Sequence, residues 1–287
     1  MTPSAIPSDQ TAPGRPVALT IAGFDPSSGA GITADLKVFA AHDVYGMACI
    51  TALTVQSTLG VRRAEPVSTA TIGETLDCLG EDVTPSGVKI GMLATAEVAG
   101  KVAAFLAGAG IDRRRIVLDP VLRSTSGREL LSQDGVDRLR TELLTRVGWI
   151  TPNLDELAIL IDSMPLNKGD IPAATATLQE LAHRAGNPEL HVIVTGGHLD
   201  PPDDFLRTPE SEEIWFPGER VETNSTHGTG CAFSSALLCH LIRGAGPKEA
   251  VMEAKAYVTE ALRAAYLVGR GKGPMHHLFR MGDPFSP

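Results

Sequence analysis

Four cysteines are all the chain carries, and Cys49, Cys78, Cys231 and Cys239 form no CxxC pair. That spacing argues against a zinc knuckle or a disulfide framework and suits a reducing compartment, so a cytoplasmic location is expected. Positive charge is short as well: 25 Lys and Arg stand against 34 Asp and Glu, a formal net charge of -9. No basic surplus remains to neutralise a nucleic-acid backbone or an anionic bilayer, and neither is expected as a partner. Aromatic residues make up only 5% of the sequence, too few for a base-stacking platform. Long apolar runs of membrane-spanning length are missing, and the opening MTPSAIPSDQTAPGRP lacks both the cationic start and the apolar stretch of a signal peptide. Residues 1–16 read as a flexible tail, and residues 17–287 as a single domain.

The chain is nevertheless rich in small and aliphatic residues, with 29 glycines and 43% hydrophobic residues over 287 positions, enough for a large core cut by many tight turns. From Val17 short aliphatic runs alternate with longer amphipathic ones. VALTIAG at 17–23 predicts a buried strand, a glycine-rich loop follows, and a helix is expected from Ala34. Further strands are expected at 46–56, 88–93, 115–121, 149–153 and 191–197, with helices over 71–81 and up to Ala107. Residues 203–220 break the alternation and predict short antiparallel edge strands. Two closing helices, Cys231–Arg243 and Lys248–Leu267, flank the stop-and-start segment GAGP. Strand and helix in this order predict an α/β fold: a mainly parallel central sheet flanked by helices on both faces.

NSTHGTGCAFSSALLCHLI at 224–242 carries the most chemistry. Gly228, Thr229 and Gly230 stand just before an apolar helix, whose free N–H groups and positive dipole end can hold phosphate oxygens, although the same glycines serve a plain tight turn. Cys231 follows at the helix start, where the dipole is expected to stabilise a thiolate and lower its pKa below about 8.5. Cys49, Cys78 and Cys239 read as small buried hydrophobes. The loop GFDPSSGAGITAD at 23–35 places Asp25 and Asp35 at a strand-to-helix junction, where ligands of parallel sheets bind. Asp25 before Pro26 also suits a turn start, and Asp35 an exposed first helical turn. Neither a GxGxxG fingerprint nor a GxxxxGK[ST] loop occurs, which weakens a Rossmann oxidoreductase and a Walker NTPase. Asn153 and Glu156 in TPNLDEL suit hydrated Mg²⁺ beside phosphates, and taken alone suit a helix cap with its capping-box partner better. His191, His198, His227, His276 and His277 lack metal-ligand spacing and are not read as ligands.

In order and spacing these segments resemble the hydroxymethylpyrimidine and phosphomethylpyrimidine kinase family of thiamine biosynthesis, within the ribokinase-like superfamily. The likeness runs through ALTIAGFDPSSGAGITADLK, ITALTVQST, KIGML, VLDPV, ITPNLDE, GGH, HGTGC and GKGPMHHLF, nearly everything after the tail. It implies a ribokinase-like kinase domain that uses ATP and Mg²⁺, leaves a monovalent cation open, and forms a homodimer. The implied reaction phosphorylates 4-amino-5-hydroxymethyl-2-methylpyrimidine to its monophosphate and then to its diphosphate. The resemblance puts Gly23, Asp35, Gln56, Met92 and Val121 around the pyrimidine. Cys231 becomes the base, with Gly228 and Gly230 in the anion hole. Asn153, Glu156, Thr195, Gly197 and Thr229 fall near ATP, and Glu156 with Asp119 near the metal. Phe24, Ser28 and Thr195 depart from the family pattern, which favours a small polar residue, a Gly and a Lys there. A pyridoxal or pyridoxine kinase on the same scaffold and a non-catalytic pyrimidine or nucleotide sensor are the alternative readings.

Overall fold

The computed structural model describes residues 14–124 and 127–281. All but Gly14, Arg15 and Pro16 of the expected tail lies outside them. The Pro16 carbonyl accepts a hydrogen bond from Tyr45 N at 2.9 Å.

Aliphatic residues buried on both faces make the parallel core of one nine-stranded sheet. Strands β1 (Val17–Phe24), β2 (Tyr45–Ser57), β4 (Gly87–Ile90), β5 (Ile116–Leu118), β6 (Trp149–Ile150) and β7 (His191–Val194) run parallel. Strand β3 (Gly60–Pro66) pairs antiparallel with β2 at one edge. At the other edge β8 (Asp204–Arg207) and β9 (Glu213–Phe216) add two antiparallel strands, as the 203–220 segment predicted. The order is β3-β2-β1-β4-β5-β6-β7-β8-β9.

Alternation within strands feeds two cores. Leu19, Ile21, Ile116, Leu118, Val192 and Val194 pack on one face with helices α2 (Thr69–Asp82), α3 (Ala96–Gly108), α4 (Gln133–Thr141), α5 (Leu154–Leu160) and α6 (Ile171–Arg184). Ala18, Val117 and Ile193 face α1 (Gly31–Ala41), α7 (Thr229–Ile242) and α8 (Pro247–Arg263) on the other. The chain leaves β1 toward β2 through α1 and later returns to β4 through α2, so the winding reverses between β1 and β4. The crevice beyond their carboxyl ends is where such a sheet takes a ligand.

Most expected elements form within a few residues of their predicted bounds, with instructive exceptions. The strand expected over 88–93 stops at Ile90, so Met92 stands beyond the sheet edge. The last long helix ends at Arg263, not Leu267. Cys78 is exposed on α2, contrary to its reading as a buried hydrophobe, whereas Cys49 and Cys239 are buried. The apolar stripe of α2 is formed by Ile72 and Leu76 without it.

α7 lies directly on β4. A Cβ on Gly87 would fall 2.7 Å from the Arg115 carbonyl oxygen and 2.8 Å from a Leu238 methyl, so the strand and helix meet there without room for a side chain. Gly87→Ala should lower stability in urea unfolding by about 1–3 kcal/mol through overpacking. Gly80→Ala, on exposed α2 with its nearest neighbour 3.9 Å away, should instead raise it by about 0.5–1 kcal/mol.

Candidate active site

An ammonium lies at the bottom of the crevice. Lys89, the second residue of the run VKIGML, is fully buried on β4, with Nζ 3.1 Å from both oxygens of Asp35 and 3.6 Å from Asp119 Oδ2. Thr20 Oγ1 donates to Asp35 Oδ2 at 2.6 Å and Ser235 Oγ to Oδ1 at 2.8 Å, while Ser234 Oγ donates to Asp119 Oδ2 at 3.3 Å. Burial works against the charged amine, but the Asp35 and Asp119 carboxylates outweigh it and raise its pKa, so it stays protonated. Asp35 is correspondingly not on an exposed helical turn. Its carboxylate is fully buried, accepts from Thr20, Lys89 and Ser235, and so anchors Lys89. Sequence reasoning missed Lys89, although a lysine inside a strand buried on both faces is itself a signal.

Above this cluster, Gly228 caps α7 with φ +82°, and a side chain there would collide with the Gly29 carbonyl. Only glycine meets both conditions. The helical ladder begins with Ala232 N donating to Gly228 O at 2.9 Å, which leaves the Thr229, Gly230 and Cys231 N–H groups outside it. Nothing lies within 4 Å of where a Gly230 side chain would start, so the turn is open on that side. The half-buried Cys231 bonds to the Asp119 side chain and to the Gly31 N–H. Its pKa is raised, not lowered as the helix start predicted: burial, then Asp119 and Asp35, outweigh the help from Lys89 and Gly31 N–H.

Loop 24–30 and β2 form the adjoining wall. Asp25 Oδ1 accepts from Ser27 N at 2.8 Å and Ser27 Oγ at 2.7 Å, which is the turn its sequence predicted. Oδ2 accepts from Ala30 N at 2.9 Å and meets His227 Nε2 at 2.7 Å. Burial pushes the Asp25 pKa up, yet its bonds from His227 and Ser27 prevail and hold it at about 2. Ser28, where the family pattern has Gly, takes φ +63°. Met92 packs with Ala52, Leu130 and Val121, and its sulfur lies 3.0 Å from where a Cβ on Gly23 would stand, so Gly23, Met92 and Val121 do come together. Gln56, farther along β2, meets His227 at 2.9 Å and through it Asp25. His227 carried no ligand spacing, and only the fold reveals its place here.

At the ends of β6 and β7, Asn153 and Glu156 form the capping box that their spacing alone favoured, with both reciprocal bonds at 2.9 Å. Thr195 bridges to Asn153, and Gly197 is open on its side-chain face. Burial first, then the nearby Asp119 charge, push Glu156 up to about 8. Lys168 and Lys255, close by in the fold, are committed to Asp203 and Asp204 at 2.7 and 2.8 Å, so neither stands in freely for a lysine at 195. The described residues contain no cluster of three or more His, Cys, Asp or Glu side chains arranged for a metal ion. They also contain no helix long and apolar enough to cross a membrane.

Removing the Lys89 charge strands two buried carboxylates. Lys89→Met should cost about 3–5 kcal/mol in chemical denaturation, and Lys89→Met combined with Asp35→Asn should cost less than the two single changes added together.

The phosphomethylpyrimidine kinase family model matches residues 25–276. The hydroxymethylpyrimidine/phosphomethylpyrimidine kinase of Salmonella typhimurium is 41% identical over 267 residues, covering 91% of this chain and 96% of that one. Among solved structures, an ADP complex of Bacillus subtilis pyridoxal kinase superposes with TM-score 0.80 at 30% identity, covering 94% of this chain and all of that one. The phosphomethylpyrimidine kinase of Clostridium difficile gives TM-score 0.74 at 34% identity, covering 86% of this chain and all of that one. With nearly its whole folded length matched in sequence and in architecture, the chain belongs to the phosphomethylpyrimidine kinase family, a family of phosphotransferases with the ribokinase-like fold.

Proposed function

We propose that this kinase transfers the γ-phosphoryl group of ATP to the hydroxymethyl oxygen of 4-amino-5-hydroxymethyl-2-methylpyrimidine, and then a second one to the monophosphate. The observation that carries the reading is that α7 presents free N–H groups and Cys231 at one edge of the sheet, beside the wall of Gly23, Gln56, Met92 and Val121. Phosphoryl transfer asks a protein for positioning and charge neutralisation more than for covalent chemistry. Thr229, Gly230 and Cys231 N–H groups supply donors for phosphate oxygens, with Asn153, Thr195 and Gly197 toward the nucleotide. The attacking oxygen bonds to the γ-phosphorus as the bond to the ADP oxygen breaks, and its proton passes to Cys231, which must be in its thiolate form at that moment.

Glu156 and Asp119 fit a divalent cation shared with phosphates, because both carboxylates are buried and the Asp119 charge helps push Glu156 up, a repulsion that a positive charge between them would relieve. Bound there, Mg²⁺ would neutralise charge on the transferring phosphates. One kinase domain over residues 17–287, a cytoplasmic location and a homodimer belong to the same proposal. Pyridoxal kinase activity is the second reading, favoured by the closer superposition of the pyridoxal kinase among the two structures compared.

With Mg²⁺, ATP and the hydroxymethylpyrimidine, anion-exchange chromatography should resolve the monophosphate first and the diphosphate later. Rapid phosphorylation of pyridoxal with no pyrimidine diphosphate would transfer the assignment to the second reading. Cys231→Ala should lower kcat by roughly 10²–10⁴ with ATP affinity little changed; an unchanged kcat would reduce Cys231 to packing.

A further inference from the structure

The wall beside Cys231 contains a hydrogen-bond relay that its family membership does not explain. His227 Nε2 stands 2.7 Å from Asp25 Oδ2 and 2.9 Å from the Gln56 amide end placed as Nε2. Asp25 is a carboxylate that accepts from Ser27, Gly29 and Ala30, so it has no proton to give His227. His227 Nε2 must therefore carry the hydrogen, in the neutral ring or the imidazolium alike, and this one hydrogen is shared in a three-centre bond between Asp25 Oδ2 at 2.7 Å and the Gln56 amide at 2.9 Å. Facing that N–H, an amide nitrogen would set donor against donor. The amide end toward His227 is accordingly Oε1, since oxygen and nitrogen of an amide are told apart by their partners.

The other end of the amide agrees. It lies 3.2 Å from Thr54 Oγ1, whose own hydrogen goes to the Phe24 carbonyl at 2.9 Å. Thr54 Oγ1 is left as an acceptor and suits the Gln56 NH₂. The β2–β3 register shifts between Val55 and Gln56, an irregularity of the kind that re-aims a side chain beside a site. With these partners satisfied, Gln56 keeps one lone pair on Oε1 and one hydrogen on Nε2. An acceptor on the His227 side and a donor on the Thr54 side match a ring edge that presents an exocyclic amino group next to a ring nitrogen.

We propose that His227, fixed by Asp25, is a specificity-determining positioning residue that locks the Gln56 amide in the orientation that reads an amino group beside a ring nitrogen. The inference rests on the pyrimidine kinase reading for its substrate and on the relay geometry for its mechanism. Gly29 lies directly against the His227 ring, so a packing role must be separated from a hydrogen-bonding one.

Two measurements do so. In the free protein, nuclear Overhauser contacts from the Gln56 NH₂ should reach the Thr54 methyl and not the His227 ring protons. Strong contacts to the His227 ring protons would overturn the proposal whatever the substrate. In kinetics, the ratio of kcat/KM for the 4-amino pyrimidine alcohol over its 4-oxo analogue should fall about ten- to hundredfold in His227→Phe, mainly through KM, with the KM for ATP unchanged. His227→Gln, which keeps an N–H donor, should retain most of the ratio. An unchanged ratio in His227→Phe, or equal loss in both variants, would refute the relay. A wild-type enzyme inactive on both pyrimidine alcohols would instead defeat the substrate reading and leave the amide orientation to be decided by the Overhauser contacts.

Discussion

The Lys89 ammonium, sealed between Asp35 and Asp119, is the interaction on which the site depends. An ammonium or carboxylate taken out of water alone costs several kcal/mol, so each of these charges is tolerable only because the others are in place. Their partners come from β1, α1, β4, the turn after β5 and α7. The cluster therefore sets the distance between the first loop and the glycine turn of α7. Gly87, where strand and helix touch without a side chain, lets α7 lie close enough for Ser234 and Ser235 to reach the carboxylates.

One cation against two carboxylates leaves the buried cluster with a surplus negative charge, and this adds to burial, the larger cause, in setting the state of Cys231. A helix start favours a thiolate, but the gain from a dipole and one N–H is smaller than the cost of placing a second surplus negative charge in a site poor in water. The free protein therefore holds a thiol that ionises only when its surroundings change. Phosphate neutralisation follows a different route. With Thr195 in place of a lysine, and Lys168 and Lys255 already paired, it falls to backbone N–H groups and to whatever cation Glu156 and Asp119 hold.

What periodicity encodes was legible in the chain. The short aliphatic runs of β1, β5 and β7 between the apolar stripes of the helices gave the α/β class, and the break in that alternation over 203–220 gave the antiparallel edge at β8 and β9. The polar alternation of β3 has no apolar face, and its pairing is written in β2, so it stayed hidden. At the site, spacing carried the Asn153–Glu156 box because both bonds are local. Lys89 with Asp35, 54 residues apart, and His227 with Asp25, 202 apart, depend on tertiary contact that no local pattern records. The Cys231 expectation failed for the same reason: the dipole is local, whereas the desolvation and the carboxylates that oppose it arrive with the fold.

The most direct test of this account is the pH dependence of Cys231 alkylation in the ligand-free protein, followed site by site by mass spectrometry with exposed Cys78 as the internal reference. A raised pKa means that the reactive thiolate is scarce at neutral pH and grows as the solution becomes more alkaline. The account predicts that Cys231 reacts slowly near pH 7 and that its rate still climbs beyond about pH 9. A rate that levels off below about pH 8.5 would show a helix-stabilised thiolate and contradict the electrostatic picture of the Lys89 cluster.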